Sequence, residues 1–257
     1  MPAELSPVTR MPRGLTNAAP RQTMANYGAP DPTWSRQIAL EYINNGDLTA
    51  LTESGSAVVA SAAGVGGNAT ITTGAVANTL GAAATAQAVF QVGQPGTNTL
   101  GRMFFKWSGS IDSLVGTLQV GFVASAASSP NGIYIQSEVT TGALSLIVKN
   151  ASGTTTVPLN QSLVAATQVE LGIEVDFEGN VFVFYNPTTG NAPNNTNGTV
   201  ANGPIAAAYY QQNGALTGIY LPLGIALYAS QGAIPTTAVA RVLTVNFFVA
   251  AQQFGQY

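Results

Sequence analysis

The sequence predicts an all-β protein: an antiparallel β-sandwich led by an extended N-terminal arm. Three observations carry that expectation. Apolar residues alternate with polar ones at period two in several short stretches. Turn residues recur about every ten positions. Proline crowds the first 36 residues, which hold six of the 14 in the chain. Helical patterning is weak. Ile38–Leu51 is the best stretch, and Gly46 interrupts it. No fixed-period repeat appears, which disfavours a propeller or solenoid.

Residues 1–36 read as the arm. Pro2, Pro7, Pro12, Pro20, Pro30 and Pro32 oppose both helix and central strand, because proline fixes φ and lacks a donor. Arg10, Arg13, Arg21 and Arg36 face only Glu4 and Asp31, a net +2. Leu15, Met24, Tyr27 and Trp34 supply apolar anchors that loose tails usually lack. The arm is therefore expected to bind a partner, with Arg10, Arg13, Leu15, Met24, Tyr27 and Trp34 as its contact residues.

Residues 37–257 read as one β-sandwich domain with a net charge of −5. Gln37–Asn44, Ser56–Ala60, Ala69–Thr73 and Ala86–Val92 are its first strand candidates. Arg102–Ser108 sets Met103, Phe105 and Trp107 on one face and Phe104 and Lys106 on the other. Thr117–Ala124, Gly132–Glu138, Ala143–Lys149 and Thr154–Leu159 follow, with a hairpin turn over Asn150 to Gly153. Val169, Leu171, Ile173 and Val175 alternate with Glu170, Gly172, Glu174 and Asp176, the pattern of a half-buried strand. Glu178-Gly179-Asn180 turns this segment into Val181–Tyr185. Ile219–Tyr228 and Arg241–Ala250 complete the set. The polar stretch 186–204 reads as a long loop.

Composition excludes several functions. Charged residues make up 7% of the chain, against a usual share of about a quarter. There is no Cys and no His, hence no thiol nucleophile, no Ser–His–Asp triad and no thiolate or imidazole metal site. The net charge of −3 argues against a nucleic-acid partner. The apolar stretches Ala57–Gly66 and Val245–Ala251 fall short of the roughly 20 residues of a spanning helix, so no membrane partner is expected. Gly64-Val65-Gly66-Gly67 lacks the Lys-Ser/Thr of a phosphate loop.

One constellation invites a catalytic reading. Glu174, Asp176 and Glu178 stand at i, i+2 and i+4, on one face of a strand. The run resembles the E-x-D-x-E signature of laminarinase- and lichenase-type glycosidases. That resemblance implies Glu174 as nucleophile, Asp176 as its orienting partner and Glu178 as acid/base. Paired carboxylates are what glycoside hydrolysis needs, and three together also suit Ca²⁺. Against both, Gly179-Asn180 places Glu178 in a hairpin turn. The bland reading, a solvated sheet face, is preferred, so no catalytic, cofactor or metal residues are assigned.

A broader resemblance lies elsewhere. Met11 to Pro20 and Met24 to Thr33 resemble the N-terminal segment of virion structural proteins of tailed bacteriophages. Leu171 to Val181, Phe184 to Gly190, Arg241 to Val245 and Ala250-Ala251 resemble their bodies. The resemblance implies an extended arm before a concanavalin-like jelly roll. It implies a non-enzymatic capsid decoration (cement) protein on the outer capsid surface, made in the host cytoplasm. Its implied partners are the major capsid protein and further copies of the chain, as a dimer or trimer. The alternative is a head-fibre or tail-associated jelly roll that binds a surface glycan; a glycosidase ranks last.

Overall fold

A computed structural model describes residues 37–43, 51–54, 58–61, 69–78, 81–85, 90, 103–125, 129–150, 153–175, 181–187, 205–210 and 227–253. Among them are fifteen strands and no α-helix. They are β1 (Gln37–Ile43), β2 (Leu51–Ser54), β3 (Val58–Ser61), β4 (Ala69–Thr72) and β5 (Gly81–Thr85). Next come β6 (Met103–Ile111), β7 (Gly116–Val123), β8 (Gly132–Ser137), β9 (Ala143–Asn150) and β10 (Gly153–Ser162). The last are β11 (Val169–Val175), β12 (Val181–Pro187), β13 (Ile205–Tyr210), β14 (Tyr228–Pro235) and β15 (Val242–Gln253).

The strands form two antiparallel sheets. The first runs β13-β12-β11-β6-β15-β4-β3, with β1 also paired to β15. The second runs β10-β9-β8-β7-β14-β5-β2. Twelve-residue β15 organises the first sheet. One flank pairs with β6; the other takes β4 at Val242–Val245 and β1 at Phe247–Gln253. This is the predicted all-β antiparallel jelly roll.

Period two builds the core. Met103, Phe105, Trp107 and Ile111 point inward from β6, and Val169, Leu171, Ile173 and Val175 from β11. They meet Leu118, Val120 and Phe122 of β7 and Ile133 and Ile135 of β8. Phe122 lies at the centre, its ring 5.1 Å from Phe90 and 5.7 Å from Phe105. Tilted and edge-on aromatic contacts of this kind add to simple burial.

The second sheet needs glycine at two adjacent positions. Gly121 (φ 146°) and Gly132 (φ 149°) adopt a backbone that side-chain-bearing residues avoid. A Cβ on Gly132 would stand 2.1 Å from the Phe122 carbonyl oxygen. Tyr134 lies over Gly121, its cross-strand partner.

Several expectations shift. The hairpin forms as read: Asn150 pairs with Gly153, whose N–H donates to the Asn150 Oδ1 at 2.9 Å. The strand expected over Ala86–Val92 lies outside the described residues except for Phe90, which makes one bridge to Leu227, and β5 at Gly81–Thr85 adds to the pattern. The strand expected over Ile219–Tyr228 lies outside the described residues except for Leu227 and Tyr228, where β14 begins. Strands β2 and β13 had no counterpart in the pattern. Residues 1–36, the arm, lie outside the described residues.

Candidate functional site

Two outer sheet faces carry the side chains with chemistry. The first belongs to β6 and β11. Phe104, Lys106 and Ser108 point away from the core on β6; Glu170, Gly172 and Glu174 do so on β11. The register sets Glu174 between Phe104 and Phe182. Lys106 Nζ lies 3.3 Å from Glu170 Oε2. Gln168 Nε2 donates to Ser108 Oγ at 3.1 Å.

This face corrects the solvated reading at Glu174. Glu174 and Phe104 are both fully buried, and Lys106 nearly so. The physical reason is that alternation separates two faces without saying that one is wet. Asp176 and Glu178 lie outside the described residues. The structure thus places one carboxylate of the three, inside a strand and flanked by two phenylalanines. Among the described residues, no three acidic side chains gather as a metal-ion cluster.

The second face belongs to β7, β8, β9 and β14. Val123, Tyr134 and Ile147 form a small apolar cluster there, with Tyr228 packed against it. Polar groups border it. Gln119 Nε2 donates to Gln136 Oε1 at 3.0 Å. Lys149 Nζ donates to the Ser129 carbonyl at 2.9 Å and to Ser129 Oγ at 2.6 Å. Burial pushes the Tyr134 phenol above its ordinary range, and its hydrogen bond with Ser129 partly offsets this. Tyr134 and Gln119 are buried, so the groups this face offers outward are the partly exposed Tyr228, Gln136 and Lys149.

The period-two reading identified the alternation of β7, β8 and β9. It missed this face because Tyr228 and Gln136 lie far apart in sequence and meet only through the β7–β14 and β7–β8 pairings. The arm residues Arg10, Arg13, Leu15, Met24, Tyr27 and Trp34 lie outside the described residues.

With both faces in view, comparison with known structures defines the architecture. The fold is the lectin-type jelly roll. A Shewanella oneidensis MR-1 protein of unknown function superposes with a TM-score of 0.57 at 11% identity, over 95% of this chain and 97% of its own. The winged bean acidic lectin, in complex with methyl-α-D-galactose, gives 0.58 at 10% identity, over 86% of this chain and 100% of its own. The exoplasmic/lumenal domain of VIP36, in its Ca²⁺/Man3GlcNAc-bound form, gives 0.51 at 10% identity, over 84% and 89%. No protein-family profile matches the sequence, and no curated protein does. At these identities the likeness is one of fold.

Proposed function

We propose that this chain is a non-enzymatic binding protein carried on the virion of a tailed bacteriophage. The resemblance of its arm and body segments to virion structural proteins carries the virion half of this reading. A composition of 7% charged residues supports it, since charges are costly to desolvate in protein interfaces. Burial of Glu174 within β11 supports the non-enzymatic half. A hydrolytic carboxylate has to reach its substrate.

Two versions of the binding role follow. In one, the body reinforces the shell as a decoration (cement) protein. In the other it is a head-fibre or tail-associated module that binds a glycan. The lectin-type fold and the partly exposed Tyr228 and Gln136 lend weight to the second. Quantitative mass spectrometry of purified particles tests the virion half: the chain is expected at a fixed ratio to the major shell protein. A glycan array separates the versions. Saturable sugar binding that falls in Gln136→Ala favours the glycan module, and a blank array favours the cement protein. Turnover of a β-glucan that disappears in Glu174→Gln would overturn both.

A further inference from the structure

An edge strand presents unpaired N–H and C=O groups to any strand that approaches, and proteins blunt such edges with short strands, charges, prolines or bulges. The strands that end the two sheets differ in this respect. β2 and β3 have four residues each, and β13 has six. β10 has ten residues and carries no charged side chain over Gly153–Ser162. Its protection lies in its second half. Pro158 brings no N–H, the register shifts between Pro158 and Ser162, and Asn160 takes a φ of 54°. Tyr185 Oη also donates to the Ser162 carbonyl there, at 3.4 Å. The first half, Gly153–Val157, has none of these devices.

The pairing with β9 shows which groups of that first half face outward from the sheet. Along an antiparallel strand, successive residues turn their N–H and C=O to opposite flanks. The Gly153 N–H turns toward the β9 flank, donating to Asn150 Oδ1 at 2.9 Å, so Thr155 and Val157 also turn to β9. Thr154, Thr156 and Pro158 then turn to the open edge. Pro158 agrees with this parity, because it pairs with Ser145 in the ladder although it has no donor to give. Among the described residues β10 pairs with β9 alone. β13 lies near it in the other sheet and is not hydrogen-bonded to it. Gly153, Thr154 and Thr156 are exposed, and a Cβ on Gly153 would meet open space.

We infer that the Gly153–Val157 edge is a pairing site for the same segment of a second copy of this chain, joined antiparallel about a two-fold axis through Thr155. The match of the segment to itself selects this occupant. Thr154 faces Thr156 of the second copy and Thr156 faces its Thr154, so the outward-turned N–H and C=O groups meet in hydrogen-bonded pairs. Thr–Thr neighbours across strands are favourable, whereas like charges directly opposite are not. A two-fold contact sets a segment against itself, and this segment holds no charge to repel its copy. Lys149 pairs with Thr154 from the β9 side, so the two Lys149 side chains stand on the outer flanks, about 14 Å apart or more. The contact uses the same edge on both copies and therefore closes as a dimer. A ladder this short covers less than the roughly 800 Å² per partner of a standard interface. The dimer is thus expected to be weak and to form where copies are concentrated. The inference is independent of the virion reading.

The test is sedimentation velocity of the full chain at concentrations up to about 0.5 mM. The parent should show a concentration-dependent monomer–dimer equilibrium. Thr154→Lys/Thr156→Lys sets lysine opposite lysine across the axis and should stay monomeric, as should Thr154→Glu/Thr156→Glu. Mixing these two variants sets lysine opposite glutamate and should restore a dimer with one copy of each. The replaced side chains are exposed, so circular dichroism of both variants should match the parent. Thr156→Pro gives a second route. It removes a donor from the open edge and none from the β9 ladder, and should raise the dissociation constant about tenfold or more. A parent that stays monomeric throughout overturns the inference. So does a dimer that both charged variants leave intact, and so do charged variants that fail to pair when mixed. A monomeric parent whose Thr154 and Thr156 amides resist hydrogen exchange would make another segment of this chain the occupant, which also overturns it.

Discussion

Strands β6 and β10 are of similar length, nine and ten residues, and both follow the period of a sheet. Their environments are opposite. β6 lies between β11 and β15, and all but one of its residues are buried on either face. β10 ends the second sheet, and only Leu159 is buried along its length. The sheet edge also tolerates Pro158, which brings no N–H to a ladder. The pair teaches that side-chain alternation reports the strand, whereas neighbours on both flanks and both faces decide the energetics.

The largest effect that would break this contrast lies on β6. Phe104 points outward, yet its burial equals that of inward Phe105. Phe104→Ala and Phe105→Ala should each cost about 3–5 kcal/mol in urea unfolding. A cost below 1 kcal/mol for Phe104→Ala alone would make the outer face a solvent face after all. Glycine substitutions come next. Gly132→Ala forces a methyl against the Phe122 carbonyl and a disfavoured φ, and should cost about 1–3 kcal/mol. Gly153→Ala meets open space at the start of β10 and should lie within about 0.5 kcal/mol.

How much of this was legible follows from side-chain size. β6 and β11 stood out because Met103, Phe105 and Trp107, or Val169 to Val175, contrast with charged neighbours. β5 is Gly-Ala-Ala-Ala-Thr, and small residues give no contrast between faces. β14 was passed over in the reading because Gln231 occupies an inward position between Ala229 and Ala233, so its alternation is broken by a buried amide. The burial of Glu174 was not legible, because nothing local to β11 announces what covers its outer face.

A smaller effect concerns the ion pair on β6. Glu170→Gln removes the charge opposite Lys106 and should cost about 1–2 kcal/mol, since a hydrogen bond to a charged group exceeds a neutral one. Half-buried pairs are only partly screened, so the loss should change little between low and high salt. Alkaline pH adds a related prediction. Burial raises the pKa of both Tyr134 and Tyr185, so the unfolded chain ionises first. Stability is then full below about pH 10 and falls as pH climbs above it. Tyr134→Phe should flatten that alkaline decline, as measured by urea midpoints across the range.

The smallest effect belongs to β10. Thr154 and Thr156 are exposed on their outward face, paired only to Lys149 and Ile147 of β9. Thr154→Ala and Thr156→Ala lose a little strand preference and almost no buried area, so each should fall within about 0.5 kcal/mol. Leu159 on the same strand is the internal control: it is buried in the core, and Leu159→Ala should cost about 2–5 kcal/mol. The difference between them tests whether β10 is held by one inward anchor rather than by its length. If the threonine variants unfold as easily as Leu159→Ala, the edge contributes as a whole. The strand would then belong with β6 in energetic terms, and the contrast between centre and edge would collapse.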